Sequence, residues 1–243
     1  MAQEFNKYVF LDIETTGLDP VQDLILEIAA IVTDDELNEV ARYSSVVVPC
    51  GGLHTLERMN DFVRDMHTKN GLIDQINLVS TSPLYKTESV EHDLLHFFRQ
   101  NKCKPGQIIL VGRNVGLFDR KFIAHHMRVL NWVLSHRCLE IGDVLRFMRD
   151  FCGIDVVADK RESNHRAMDD CVQALEDARA LRDKIKNFKS LAELQIQLQE
   201  TGIAPAPETA FETAKALEKE IEQDAIKTLE NLNLEKAYQP YLG

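Results

Sequence analysis

Asp12 and Glu14 stand two residues apart in the stretch YVFLDIETTGLDP, residues 8–20. The run from Tyr8 to Ile13 reads as a buried strand, and residues i and i+2 of a strand share a face. Two like charges side by side at the end of a core strand repel each other, and burying either one unpaired is costly. Other acids stand where core elements end or begin. LVGRNVGLFDRKF places Asp119 in the first turn of a helix that follows the strand QIILV, and HRAMDD sets His165, Asp169 and Asp170 at the start of a long helix. Taken singly, these acids are ordinary: the helix dipole favours an acid in a first turn, and His165 alone reads as a surface histidine. Taken together, Asp12, Glu14, Asp119 and Asp170 are four hard oxygen donors with one histidine in range. Such a cluster needs a cation to cancel its charge, and oxygen donors suit Mg2+ or Mn2+. Two such ions about 3.5–4 Å apart clamp the attacking and leaving oxygens of a phosphoryl displacement. A histidine, with an ordinary pKa of about 6.5, can take the proton of an attacking water at neutral pH.

The elements that must position these groups follow from pattern. Residues 8–48 read as a three-strand meander of YVFLDI, LILEIAAIVT and VARYSSVVV, although LILEIAAIVT also has a helical look. Residues 55–77 turn helical, with Leu56, Met59, Phe62, Val63 and Met66 at spacings of three and four. TSPLYKTES reads as a loop, VEHDLLHFFRQ as a helix and QIILVG as a short buried strand. LFDRKFIAHHMRVL and IGDVLRFMRDF follow as helices, and the loop GIDVVADKRESN leads into the long helix HRAMDDCVQALEDARALRDKI. Strands followed by alternating helices and strands give an α/β fold with a mixed sheet and helices on its faces. The character changes near Lys189: LAELQIQLQE is a short amphipathic helix, a proline-containing linker spans 201–208, and a second helical stretch runs over 209–234. The expected organisation is therefore a domain over 1–188 and an acidic helical extension over 189–243. The extension holds five lysines and no arginine against ten acids, a net charge of −5. Its apolar stripe (Phe211, Leu217, Ile221, Leu229) needs a partner: the core, another chain or a second protein.

The 243 residues carry a net charge of −11, which argues against a long basic track for nucleic acid and favours a small, metal-assisted site that recognises an end. Five scattered cysteines form no C-x-x-C pair, as expected of reduced thiols in a cytoplasm rather than a disulfide framework or a zinc site. The opening MAQEFNKYVF has no basic-then-apolar leader pattern, and no apolar run reaches the roughly 18 residues of a membrane span.

DIETTG, GRNVGLFD and HRAMDD, in that order, resemble the three motifs of the DEDDh 3′→5′ exonucleases: D-x-E on the first strand, an Asn…Asp element, and H-x-A-x-x-D. Within that group the chain is most similar to the oligoribonucleases, which trim very short RNA to mononucleotides. DIETTGLDPVQDLILEIAAIVTD, MNDFVRDMHTKNGL and HRAMDDCVQALEDA carry that likeness, over roughly residues 7–186. The resemblance implies a ribonuclease H-like exonuclease fold with a central five-stranded mixed sheet. It makes Asp12, Glu14, Asp119 and Asp170 the metal ligands and His165 the general base; Asp169, the adjacent acid, ranks below Asp170. Thr15, Thr16 and Gly17 would approach the terminal nucleotide, and Asn114 and Arg137 would also contact substrate. Leu18 and Phe62 match positions that wedge or stack bases, against the plainer reading of core packing. A homodimer is also implied. Two departures bear on length specificity. The family's far-phosphate cap uses serines, and these positions read Gly142 and Val115 here. A weakened cap would loosen the preference for dinucleotides.

The expected function is a metal-dependent 3′→5′ exoribonuclease acting on short oligoribonucleotides, dinucleotides included, and releasing 5′-mononucleotides. A more general 3′→5′ exonuclease on DNA or longer single strands is the alternative. A non-catalytic nucleotide-binding or assembly module is a third reading, and it would require a lost carboxylate or histidine.

Overall fold

The computed structural model describes residues 7–49, 51–156 and 164–200, with side chains through 192. A five-stranded sheet organises the first compact unit, which ends at Lys184. Its strands are β1 (Lys7–Thr15), β2 (Ile25–Thr33), β3 (Glu39–Val46), β4 (Ile108–Gly112) and β5 (Leu134–Glu140), in the spatial order β3-β2-β1-β4-β5. The meander β1-β2-β3 is antiparallel, while β4 and β5 add parallel to β1. The sheet is therefore mixed, as expected. LILEIAAIVT settles as a strand because all nine residues of β2 are buried on both faces, beyond what a one-sided helical stripe would allow.

Strand alternation sorts the core into layers. Val9, Leu11 and Ile13 of β1 pack with Ile28, Ala30 and Val32 of β2 on one face. There they meet α3 (Thr87–Gln100), α4 (Asp119–His126) and α5 (Arg128–Val133) through Leu94, Phe122 and Leu130. Phe10, Ala29 and Ile31 face the other way, onto α6 (Ile141–Cys152) and α7 (Ala167–Glu200) through Ile141, Cys171, Ala174 and Ala178. Asp12 and Glu14 continue the Phe10 face of β1, so strand parity alone turns both carboxylates toward α7. Leu26, Val46 and Val48 form a third cluster with α1 (Asp61–Lys69) and α2 (Leu72–Val79).

Several expectations shift in detail. The helical stretch 55–77 divides into a 3-10 turn (Leu53–Arg58), α1 and α2, with Gly71 in the left-handed region at φ 77° between the two helices. Phe62 lies off the buried face of α1, which presents Val63 and His67 instead. The loop TSPLYKTES holds a 3-10 turn at Pro83–Tyr85, and LFDRKFIAHHMRVL breaks at Met127 into α4 and α5. No motif located β5, whose sequence LSHRCLE has only two buried residues; it forms as an edge strand paired with β4. The α7 backbone runs unbroken past Lys189 to Glu200, so LAELQIQLQE continues that helix rather than starting a new one. The second compact unit spans Ile185–Gly243. The linker at 201–208, the stripe at 209–234, Cys50 and most of GIDVVADKRESN lie outside the described residues. The described cysteines, Cys103, Cys138, Cys152 and Cys171, are free. Among the described residues no helix is long and apolar enough to cross a membrane.

Candidate active site

The site forms where β1 ends, α4 begins and α7 begins. Asp119 opens α4 and is almost fully buried; its Oδ1 accepts a hydrogen bond from the Ile13 N–H at 2.9 Å, which ties the first turn of α4 to the end of β1. Asp170 lies in the first turn of α7, and His165 just precedes that helix. Carboxylate oxygens of Glu14 and Asp170 and a ring nitrogen of His165 all lie within 4.8 Å of one another, with Glu14 buried and His165 exposed. Three of the five expected groups thus meet in one cluster.

Asp12 and Asp119 join it electrostatically. Burial, followed by the charges of Asp119, Asp170, Glu14 and Glu27, holds the Asp12 carboxyl well above the usual carboxylate range. Burial raises Asp119 in the same way, against the opposing pull of backbone hydrogen bonds, with Glu140 and Asp170 adding to the rise. Glu14 is pushed up to about 8 by burial first and then by Asp170, Glu27 and Asp119, with Arg166 pulling the other way. A set of buried, mutually repelling oxygen donors around one imidazole fits a hard divalent cation.

Of the residues expected to meet substrate, Thr15, Thr16 and Gly17 directly follow Glu14, while Phe62, Asn114 and Arg137 stand on α1, the loop after β4 and β5. Thr15 and Thr16 are buried in a tied turn: Thr15 Oγ1 donates to the Gly17 carbonyl at 2.6 Å and Thr16 Oγ1 to Asp23 Oδ1 at 3.1 Å. A Cβ at Gly17 would sit 2.4 Å from Asp23 Oδ2, so a side chain there would have to push the Asp23 carboxylate aside. The turn presents Leu18 at 81% exposure, and Phe62 is 76% exposed, so neither is a core residue. Asn114 is exposed and adopts φ 65°, with its carbonyl accepting from the Leu117 and Phe118 N–H groups. Val115 is fully buried in the core and its N–H donates to Glu140 Oε2 at 3.1 Å, so its side chain faces no ligand. Arg137 is exposed on β5; its described hydrogen bond runs from the backbone N–H to Ser135 Oγ, and none of its described contacts reaches the carboxylates.

Sequence reasoning missed the scaffold behind the site. Glu27 of β2 sits directly across from Glu14 in the ladder and is buried. Its carboxylate takes both forks of Arg166, at 2.8 and 3.0 Å, and the Ala167 N–H at 3.1 Å, so it caps the start of α7. Arg166 also donates to Gln75 Oε1 at 2.7 Å, and Asn70 Nδ2 donates to the Asn164 and His165 carbonyls. These bonds hold His165 at φ 52°, a left-handed conformation that costs a non-glycine residue about 1–3 kcal/mol. His67, fully buried on α1, places Nε2 3.0 Å from the Thr15 carbonyl and 3.9 Å from Glu14 Oε2. Opposite a carbonyl oxygen that nitrogen must carry the proton. The sequence signals were a lone glutamate inside an apolar strand and a histidine four residues after Val63; neither speaks without the fold.

The RNase_T exonuclease model matches residues 9–177. The chain is 31% identical over 181 residues to an oligoribonuclease of Streptomyces griseus, covering 74% of this chain and 87% of that protein. It is also 31% identical over 191 residues to a mitochondrial oligoribonuclease of Mus musculus, covering 78% and 76%. Among solved structures, E. coli exonuclease I with zinc and single-stranded DNA superposes with a TM-score of 0.51 at 16% identity. That superposition covers 84% of this chain and 46% of exonuclease I, so the chain spans about half that enzyme's length. At that identity the likeness concerns the fold.

Proposed function

The chain belongs to the RNase_T exonuclease family, and from that premise we propose that it is a 3′→5′ exoribonuclease that trims short oligoribonucleotides, dinucleotides included, to 5′-mononucleotides. The observation that carries this reading is the convergence of Glu14, Asp170 and His165 within 4.8 Å, beside Asp12 and Asp119. The relatives that match over most of their length are oligoribonucleases.

In this reading Asp12, Glu14 and Asp170 hold divalent cations, two in number and Mg2+ or Mn2+ in kind, with Asp119 serving the second. When bound, these ions neutralise the carboxylates and supply Lewis acidity at the scissile phosphate. His165 takes the proton from the attacking water at its ring nitrogen. Its exposure and its place just before α7 leave it open to solvent on one side and the carboxylates on the other. The tied turn at Thr15–Gly17 seats the 3′-terminal nucleotide, and Leu18 and Phe62 offer the apolar surfaces on which bases stack. The buried backing of Glu27, Arg166 and His67 keeps the ligands in place before substrate arrives. Asn114 and Arg137 serve the substrate's phosphates and sugars. Arg137, exposed on edge strand β5, would act there alone or from a second copy. We infer a homodimer located in the cytoplasm, with a protein partner for the acidic extension; light scattering on the full chain checks the dimer.

The test is product analysis on 5′-labelled RNA and the matching DNA, with Mg2+ or Mn2+. Stepwise loss of 5′-mononucleotides from the 3′ end of RNA, silenced by chelator and by Asp12→Ala, is expected. Full activity of the folded Asp12→Ala protein would refute the site assignment, and a preference for DNA would refute the substrate.

A further inference from the structure

We propose that His126, the last residue of α4, is a positioning residue: it holds the loop at 16–24 so that Leu18 stands where the terminal base must meet it. This rests on the exoribonuclease reading above, in which Leu18 offers a surface to a base. At 81% exposure the Leu18 side chain has little packing of its own. Its place is set by the backbone that carries it.

Asp23 is the hub of that backbone. Its Oδ1 accepts from Thr16 Oγ1 at 3.1 Å and its Oδ2 from the Asp19 N–H at 3.0 Å, so one carboxylate grips the chain on both sides of Leu18. Gly17 passes directly over the same carboxylate. The Asp23 N–H in turn donates to the Asp19 carbonyl at 2.7 Å, and the Thr16 N–H to the Leu24 carbonyl at 2.9 Å. These bonds give the loop its shape, and each of them closes within it. A loop tied to itself can still swing as a unit about its two stems.

His126 ties that hub to the rest of the fold. Its Nε2 lies 2.9 Å from the Asp23 carbonyl oxygen. A carbonyl can only accept, so Nε2 carries the proton and donates. Burial, then the neighbouring His125, hold the imidazole below its ordinary pKa against the pull of the Asp23 and Pro20 carbonyls, so the ring is neutral at pH 7. The ring is itself oriented: it stacks on the fully buried Phe122 one turn back, with 6.0 Å between centroids, and meets His125 edge-on at 4.7 Å. The other end of α4 belongs to the site. Asp119, which receives the Ile13 N–H, stands seven residues from His126, two turns and about 10.5 Å along the same face of the helix. Helix α4 is therefore a strut. One end bonds the strand that carries Asp12 and Glu14, and the other bonds the loop that carries Leu18.

The experiment measures kcat and KM on dinucleotide RNA for the full chain as wild type, His126→Ala, His126→Phe and His126→Gln, each alone and with Leu18→Ala. Phenylalanine keeps a ring against Phe122 but cannot donate, whereas the glutamine amide gives up the ring and keeps a donor. A hydrogen bond of ordinary strength biases the loop about fivefold, and apparent affinity falls with the fraction of loop in the competent position. His126→Ala and His126→Phe should each raise KM about fivefold and move kcat less, and His126→Gln should recover most of the loss. In the Leu18→Ala background the same substitutions should change KM by less than about twofold, because the group that they position is gone. Circular dichroism checks folding, and His126→Phe carries the test if the alanine variant is unfolded. A wild-type KM in His126→Phe shows that ring packing alone suffices and overturns the proposal, as does a full loss that persists without Leu18. A wild type that cleaves no RNA defeats the exoribonuclease reading and the positioning role with it; an active wild type beside indifferent His126 variants defeats the positioning role alone.

Discussion

In the metal-free protein, stability should fall as the pH rises from about 5 to 9, and Glu14 should be a main cause. The native Glu14 carboxyl keeps its proton up to about pH 8, whereas its ordinary value, which the unfolded chain recovers, is 4.5. Between these limits the unfolded state binds fewer protons than the native state, so the free energy of unfolding decreases with pH. Stability is greatest below the lower value and levels off above the upper one. At about 1.36 kcal/mol per pKa unit the full shift has a ceiling of about 5 kcal/mol. For a chain of this size each kcal/mol moves the melting temperature by about 2–4 °C, so a fall of more than about 5 °C is the expected reading. Asp12 and Asp119 are displaced in the same direction and act with it. The assay is thermal melting across that range in chelator, for wild type and Glu14→Gln, and again with added Mg2+. Glu14→Gln should flatten the slope, since the amide has no proton to lose. Mg2+ should stabilise the wild type more at the alkaline end, where the carboxylates it needs are ionised. Parallel slopes for wild type and Glu14→Gln would refute the electrostatic account of the cluster.

Four further outcomes follow from the same geometry. His165→Ala should lower kcat by about 10²–10⁴-fold with cation binding retained, measured by single-turnover cleavage and by calorimetry; lost cation binding would recast His165 as a ligand. Glu27→Gln should cost about 3 kcal/mol in urea denaturation, because it leaves the largely buried Arg166 guanidinium without its counter-charge; a change under about 0.5 kcal/mol would show that the pair is dispensable. Phe62→Ala should raise KM for RNA by about 5–100-fold, the worth of one stacked base, without loss of stability. Its neighbour Val63→Ala should instead lower the unfolding free energy by about 1–2 kcal/mol with little change in KM, and a reversed pattern would place Phe62 in the core.

What the sequence revealed and what it hid divide along a physical line. The D-x-E pair was legible because a strand has a period of two, so residue types and spacing alone put Asp12 and Glu14 on one face. H-x-A-x-x-D was legible because an acid in the first turn of a helix and a histidine just before it must lie near one another. The antiparallel meander was legible too, since β1 and β2 carry apolar runs bounded by turns. β5 was not: only two of its seven residues are buried outright, and its strand conformation comes from pairing along one edge with β4. Phe62 drew a place on the apolar stripe by its spacing, yet α1 rotates Val63 and His67 inward and leaves the ring in solvent.

Glu27 shows why such gaps arise. Read along the chain it is one acid in a nine-residue apolar strand, and nothing local tells a buried glutamate from a solvated one. Its burial becomes tolerable only through Arg166, which is 139 residues away, and its use only through the ladder register that sets it opposite Glu14. The carboxylates proposed to do the chemistry are announced by short-range spacing, because neighbouring backbone positions must present them together. The groups that hold them are fixed by long-range partners, and their types are ordinary anywhere else in a sequence. A chain that keeps D-x-E and H-x-A-x-x-D but loses Glu27, Arg166 or Asn70 should therefore retain the motifs and still misplace His165, whose left-handed backbone is held by those partners. Asn70→Ala separates the two layers. It removes no ligand, so cation affinity should hold while kcat falls about tenfold or more, and unchanged kcat would show that the segment before α7 needs no such tether.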